Sequence, residues 1–252
     1  MLIPLPTLPE QKRIAQVLGD VDALIQKLEA LIAKKRDIKQ AAMQELLTGK
    51  RRLPGFSGTW ETKKLGEICS IFTGKSKTAY ITLGGDFIIC DMGSVSVDGR
   101  LISSKRTNYS GDFLDKGDLV MPKDDIGGGK IIGRVAHIDC SEQYVLSDHV
   151  YRLRTNTGDP LYLLYSINSS SINTALGRKV IGSAQLGLSR KSVEDQMIPF
   201  PSHPEQTAIA QVLSDMDAEL EKLETRLAKT WDLKAGLMRE LLTGRIRLRV
   251  AN

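Results

Sequence analysis

Apolar residues recur every three or four positions toward both ends of the chain, and fall into short strand-like runs through its middle. Near the start the recurring positions are Ile14, Leu18, Val21, Ile25, Leu28 and Ile32. Toward the end they are Ile209, Leu213, Met216, Leu220, Leu223 and Leu227. Each set is an a/d seam of about three heptads, the pattern of a helix that buries one narrow stripe. A Ser/Thr-x-x-Glu box with proline in the first turn opens each helix, at Thr7-Leu8-Pro9-Glu10 and at Ser202-His203-Pro204-Glu205. Glycine closes each, at Gly49 and Gly244. About 40 residues at about 1.5 Å per residue predict a rod of roughly 60 Å. Two matching seams in one chain most simply pack on each other or on a second copy, with Leu18, Ile25, Leu28, Leu213, Leu220 and Leu223 as the packing residues. The expected arrangement is an antiparallel coiled coil, because the middle of the chain joins the end of one helix to the start of the other.

The two helical segments are copies. IPLPTLPEQKRIAQVLGDVDALIQKLEA from Ile3 aligns with IPFPSHPEQTAIAQVLSDMDAELEKLET from Ile198, and MQELLTGKRRL from Met43 with MRELLTGRIRL from Met238, all at one offset. More than half of about 50 positions are identical, which chance does not produce. The chain therefore reads as a helical region at 1–55, a middle domain at 56–200 and a second helical region at 201–252.

The middle carries a different pattern. Leu65–Ile71, Gly117–Met121, Ile131–Ile138 and Val150–Arg154 look like short strands separated by Gly, Asp, Asn and Ser. Asp159-Pro160-Leu161 opens a helix that runs toward Ile167. The fold class is an α/β domain plus two long helices. With 41% hydrophobic and 5% aromatic residues, its core should be largely aliphatic.

Charge narrows the partner. The formal net charge is +5, distributed as about +4 over 1–55, about +1 over 56–197 and about zero beyond. That balance suits nucleic acid, provided the few cations of the middle domain cluster on one face. No run of about 18 apolar residues would span a membrane. The opening Met1–Pro6 lacks the basic and apolar regions of a secretory signal, so a cytoplasmic location is expected. Cys69, Cys90 and Cys140 are far apart and form no CxxC pair, so we expect three buried thiols and neither a disulfide framework nor a metal site.

The motifs of catalysis are missing. Gly74-Lys75-Ser76 has Cys69 where a phosphate loop needs its first glycine, and Gly127-Gly128-Gly129-Lys130 is followed by Ile131. Asp124-Asp125 and Glu194-Asp195 are sequence neighbours, which rarely converge on one metal, and read as solvated loop charge. There is no nucleophile elbow and no glycine-rich cofactor turn. The chain is read as non-catalytic and without cofactor.

The segments I-P-x-P-x-x-P-E-Q-x-x-I-A-x-V-L and E-L-L-T-G belong together with Trp60, Lys64-Leu65-Gly66 and Gly182-Ser183-Ala184-Gln185-Leu186-Gly187-Leu188-Ser189. In that combination the chain resembles the specificity subunits of type I restriction–modification systems, over essentially its whole length. The resemblance implies two recognition domains alternating with two helical regions in a full subunit. Each domain reads half of a split double-stranded DNA target, and the helices act as a spacer. Methyltransferase subunits are the implied partners, with a restriction subunit beyond them. This sequence has one recognition domain and two helical regions, so it resembles half a subunit, and a homodimer is expected to complete it.

The residues themselves point the same way. Base readout needs donors, acceptors and cations on loops. Lys75, Lys77 and Tyr80 lie in one such stretch, Lys123 and Lys130 flank a glycine run, and Arg178, Lys179 and Gln185 lie in a third. These eight are the candidate DNA contacts. A different class of function stays open beside this one: a structural or decoy protein that engages the modification subunit by its helices without reading DNA.

Overall fold

A computed structural model of the chain describes residues 6–126, 128–182 and 186–248. Helix α1 (Leu8–Leu46) is followed by strand β1 (Glu61–Lys64), a single helical turn α2 (Leu65–Ile68) and strand β2 (Cys69–Thr73). Short strands β3 (Ile81–Thr82), β4 (Phe87–Cys90) and β5 (Arg106–Thr107) come next. Then follow β6 (Leu119–Pro122), β7 (Asp124–Asp125), β8 (Ala136–His137), β9 (Tyr144–Leu146) and β10 (Val150–Thr155). Helices α3 (Pro160–Asn168) and α4 (Ser170–Gly177) precede β11 (Leu186–Gly187), the short helix α5 (Arg190–Glu194), β12 (Met197–Phe200) and α6 (His203–Leu242). By its internal contacts the chain forms two compact units. One takes the described residues up to Ala41 with those from Ser214 onward, and the other is Ala42–Leu213.

In the first unit α1 and α6 are joined by ion pairs whose numbering falls on one helix as it rises on the other. Asp22 pairs with Lys234, Lys35 with Glu219 and Lys39 with Asp217, so the helices run in opposite directions. Ile25, Leu28 and Ile32 on α1 and Leu220 on α6 are buried, while Leu18, Val21, Met216, Leu223 and Leu227 are half-buried. The apolar stripe is thus covered at Ile25, Leu28, Ile32 and Leu220 and half-covered at Leu18, Val21, Met216, Leu223 and Leu227, and charged residues are paired across it.

The second unit is the α/β domain. Its main sheet has the order β2-β10-β6-β8 and is antiparallel throughout. A second four-stranded sheet runs β3-β5-β4-β9, with β4 and β9 parallel. The pairs β1–β12 and β11–β7 complete the pairing. Leu119, Val120, Leu153, Ile138 and Leu146 fill an aliphatic interior with the rings of Tyr162 and Tyr165. Asp159 caps α3, accepting from the backbone N–H groups of Leu161 and Tyr162, as the Asp-Pro start implies.

Four local expectations change. Leu65–Ile68 is a helical turn, because the Glu67 carboxylate accepts the Lys64 N–H and closes the turn; pairing begins at Cys69. Of Ile131–Ile138 only Ala136–His137 pairs, since Gly133 sits at φ 74, which a strand does not use. The glutamates of the two capping boxes are engaged elsewhere: Glu10 by Arg247 in the first unit and Glu205 by Arg52 in the second. Cys69 and Cys90 are buried, but Cys140 is only partly so and lies beside Asp139 and Gln143.

Candidate nucleic-acid interface

The register of the main sheet brings three loops to one end. Tyr151, at the start of β10, lies opposite Thr73 at the end of β2 and next to Met121 near the end of β6. The segments after β2 and after β6 and the one before β10 therefore leave the sheet together. A fourth segment joins them: Leu186–Gly187 pairs with Asp124–Asp125, the Leu188 N–H donates to the Lys123 carbonyl, and the Tyr151 hydroxyl donates to the Leu188 carbonyl. Segments that flank the candidate contacts, far apart in sequence, thus meet at this end.

The eight candidates fare differently there. Lys75, Lys130 and Arg178 are exposed. Lys123 is half-buried, with its ammonium 3.7 Å from Asp124 and 6.0 Å from the Tyr151 ring centre. Tyr80 is exposed, its ring 5.0 Å from that of Tyr109. Lys179 turns inward and donates to the Ser192 carbonyl and the Gln196 side chain. Lys77 is buried and bound to Asp112. Gln185 lies outside the described residues.

The acidic pair is not solvated charge. Asp124 Oδ2 lies 2.9 Å from His149 Nδ1. Asp125 is buried and accepts the Gly129 N–H at 2.7 Å, which ties the glycine run to strand β7. These carboxylates shape the loop that carries Lys130. Among the described residues no His/Cys/Asp/Glu group could hold a metal ion, and no helix is long and apolar enough to cross a membrane.

Sequence reasoning missed the apolar part of this surface. Ile81 and Leu83 are exposed beside Tyr80, and Leu83 is fully so. Contiguous exposed apolar residues of this kind mark interaction sites more often than scattered ones. Phe72 is also exposed, with the Arg152 guanidinium 4.6 Å from its ring centre. No signal in the sequence marks these residues as exposed, because whether an apolar side chain is covered depends on what packs over it.

Residues 57–229 match the family model for the type I restriction modification DNA specificity domain. The chain belongs to that family. It is 29% identical over 270 aligned residues to the type I restriction enzyme MjaVIII specificity subunit of Methanocaldococcus jannaschii, an alignment covering 99% of this chain and 63% of that protein. Two solved structures share the fold. The S subunit of the type I restriction-modification system from M. genitalium aligns at a TM-score of 0.67 with 15% identity, over 97% of this chain and 62% of the other. The HsdS subunit from Thermoanaerobacter tengcongensis aligns at 0.57 with 18% identity, over 97% and 60%. The chain spans about three-fifths of the length of these relatives. The matched residues cover most of the Ala42–Leu213 unit, including the sheet whose end gathers the loops, and run on into α6.

Proposed function

We propose that this chain is a non-catalytic sequence-recognition component of a type I restriction–modification complex and acts in the cytoplasm. The α/β unit reads one half of a split duplex target. The observation that carries this reading is the convergence of the loops after β2 and β6 and the segment up to Leu188 at one end of the sheet, in a chain of the specificity family. Lys75, Lys130 and Arg178 supply exposed cations for phosphates or guanine, Lys123 lies behind them, and Tyr80 supplies a ring and a hydroxyl. The helices α1 and α6 form an antiparallel coiled coil that docks methyltransferase subunits, and through them a restriction subunit. Its support is the opposed ion pairs and the covered Ile25, Leu28 and Leu220.

One recognition domain reads one half-site, so two copies of the chain make a working unit, and the target is an inverted repeat. The test is a methylation-site map from cells that express this chain with its methyltransferase partner. Methylation at an inverted repeat with a fixed spacer is the expected result. An asymmetric split target refutes the dimer. Complex formation without any sequence-dependent methylation refutes DNA reading and leaves the decoy reading.

A further inference from the structure

Lys77 lies in the middle of the segment proposed to meet DNA, yet it is 1% exposed while its neighbours Lys75, Ser76 and Thr78 are exposed. A buried ammonium must be paired, because taking it out of water uncompensated is prohibitively costly. Lys77 is paired in this way. Its Nζ donates to Asp112 Oδ2 at 2.8 Å and to the Lys75 carbonyl at 2.9 Å, and lies 4.5 Å from the Tyr109 ring centre. Two of the three ammonium donors are thus taken by oxygens, and the same cation meets the tyrosine ring. Asp112 is itself held by its backbone, in the left-handed region at φ 51, with its carbonyl accepting the Leu146 N–H at 2.9 Å.

Two glycines pin the same segment at its ends. A Cβ on Gly74 would lie 2.4 Å from the Leu146 carbonyl oxygen, and one on Gly85 would lie 2.4 Å from the Thr107 backbone. Between these anchors Lys75, Tyr80, Ile81 and Leu83 are exposed, and Ile81–Thr82 pairs with β5. Tyr109 connects the buried and exposed sides. One face of its ring meets the Lys77 cation, and its neighbour is the exposed Tyr80 ring at 5.0 Å. An exposed reading loop gains selectivity only if its shape is set before the ligand arrives, since ordering it on binding costs affinity.

We propose that Lys77 is a positioning residue for DNA recognition: it sets the 75–84 loop from inside the domain and does not itself touch nucleic acid. This rests on the function proposed above. Lys75, by contrast, is the exposed cation of the loop. The two lysines, two residues apart, therefore differ in a measurable way. Substituting a residue that binds phosphate lowers the slope of log affinity against log salt by about one. Substituting a positioning residue leaves that slope alone and lowers the preference for one sequence over another.

The experiment uses the full chain with its methyltransferase partner and two probes: the duplex recovered by binding-site selection and a scrambled duplex of equal length. Lys77→Met and Asp112→Asn are compared with the parent and with Lys75→Ala. Asp112→Asn keeps the lysine charge, removes an acid from the domain, and places asparagine at a φ it tolerates. Both Lys77→Met and Asp112→Asn are expected to reduce the selected-to-scrambled affinity ratio roughly tenfold, the discrimination that a single base readout supplies. Both should keep the parent salt slope and speed amide exchange across residues 75–84 in the free chain, while Lys75→Ala flattens the slope. A Lys77→Met slope that flattens like that of Lys75→Ala overturns the proposal. So does Asp112→Asn binding the selected duplex as selectively as the parent, which also serves if Lys77→Met fails to fold. A parent that binds neither duplex overturns the proposed function and this proposal with it. That result is distinct from failure of the Lys77 role alone, in which the parent discriminates and both variants match it.

Discussion

The repeat places the same two residues in two different environments, and this sets up a comparison within one chain. Glu10 and Glu205 occupy equivalent positions in the two copies, as do Arg52 and Arg247. In the α/β unit Glu205 is 1% exposed and its carboxylate accepts from Arg52 Nε at 2.5 Å, from Arg52 Nη2 at 2.7 Å and from Trp60 Nε1 at 3.1 Å. Arg52 also donates to the Gly58 carbonyl and lies over the Trp60 ring, while Trp60 itself packs against Gly49. Replacing Arg52 with Ala strands a buried carboxylate with one neutral donor. Breaking a buried pair in this way costs about 3–5 kcal/mol. Arg52 is 25% exposed, so water can partly replace it, and the lower end applies. At about 2–4 °C per kcal/mol for a chain of this length, the melting temperature should fall by about 6–12 °C. In the other unit Arg247 meets Glu10 with the same bidentate geometry, and Glu10 is also buried at 5%, but the arginine's own side chain is 64% exposed. Water already reaches the Arg247 guanidinium and can replace it more fully than at Arg52, so Arg247→Ala should lower the melting temperature by less than Arg52→Ala. The hydrogen bond from Arg247 holds the Glu10 carboxyl below its ordinary 4.5, so what this pair contributes is present above that pH and lost as pH falls below it. Thermal unfolding of the two variants at neutral pH is the assay. Equal shifts, or a larger shift for Arg247→Ala, would refute the argument that burial and not sequence motif decides the worth of the pair.

Other consequences are as direct. Burial pushes the Cys69 and Cys90 thiols up to about 12, so a thiol reagent at pH 8 should label Cys140 first and the other two only on unfolding, as read by peptide mass mapping. Leu28→Asp puts a charge at a buried seam position and should lower the melting temperature far more than Leu223→Asp at a half-buried one; matching losses would mean the two positions are equally covered. Gly74→Ala drives a methyl into the Leu146 carbonyl, so it should weaken selective DNA binding and stability together, whereas Gly84→Ala, with open space around it, should leave the fold intact. A normal melting curve for Gly74→Ala would show that the crowding is readily relieved.

Much of the molecule was legible in the chain. The internal repeat, the helix starts at proline, the glycine stops and the heptad seams are local patterns, and each has a local physical cause: a missing N–H, a left-handed φ, a stripe of buried methyl groups. The Asp159 cap and strand β10 were equally plain, because an Asp-Pro start and an alternating Val-Tyr-Arg-Leu run carry their own period. The second sheet was invisible, since strands such as Ile81–Thr82 and Arg106–Thr107 are too short to show one.

The candidate contacts show where sequence stops. Lysine is charged wherever it stands, and nothing in Gly-Lys-Ser-Lys-Thr separates Lys75 from Lys77. Their parting depends on Asp112, which is 35 residues from Lys77 and is brought to it through the folding of the chain. Lys179 turns inward for the same kind of reason, toward Ser192 and Gln196. The capping-box glutamates were equally ambiguous: a carboxylate at that position can accept its own helix's N–H, but here each meets an arginine from the opposite copy of the repeat, which forms the stronger charge-assisted pair. The chain by itself thus determined the two long helices, the repeat and the family. Tertiary structure alone decided which charged groups face water and which are spent inside, because that depends on desolvation and on partners remote in sequence, and neither is written in the local pattern.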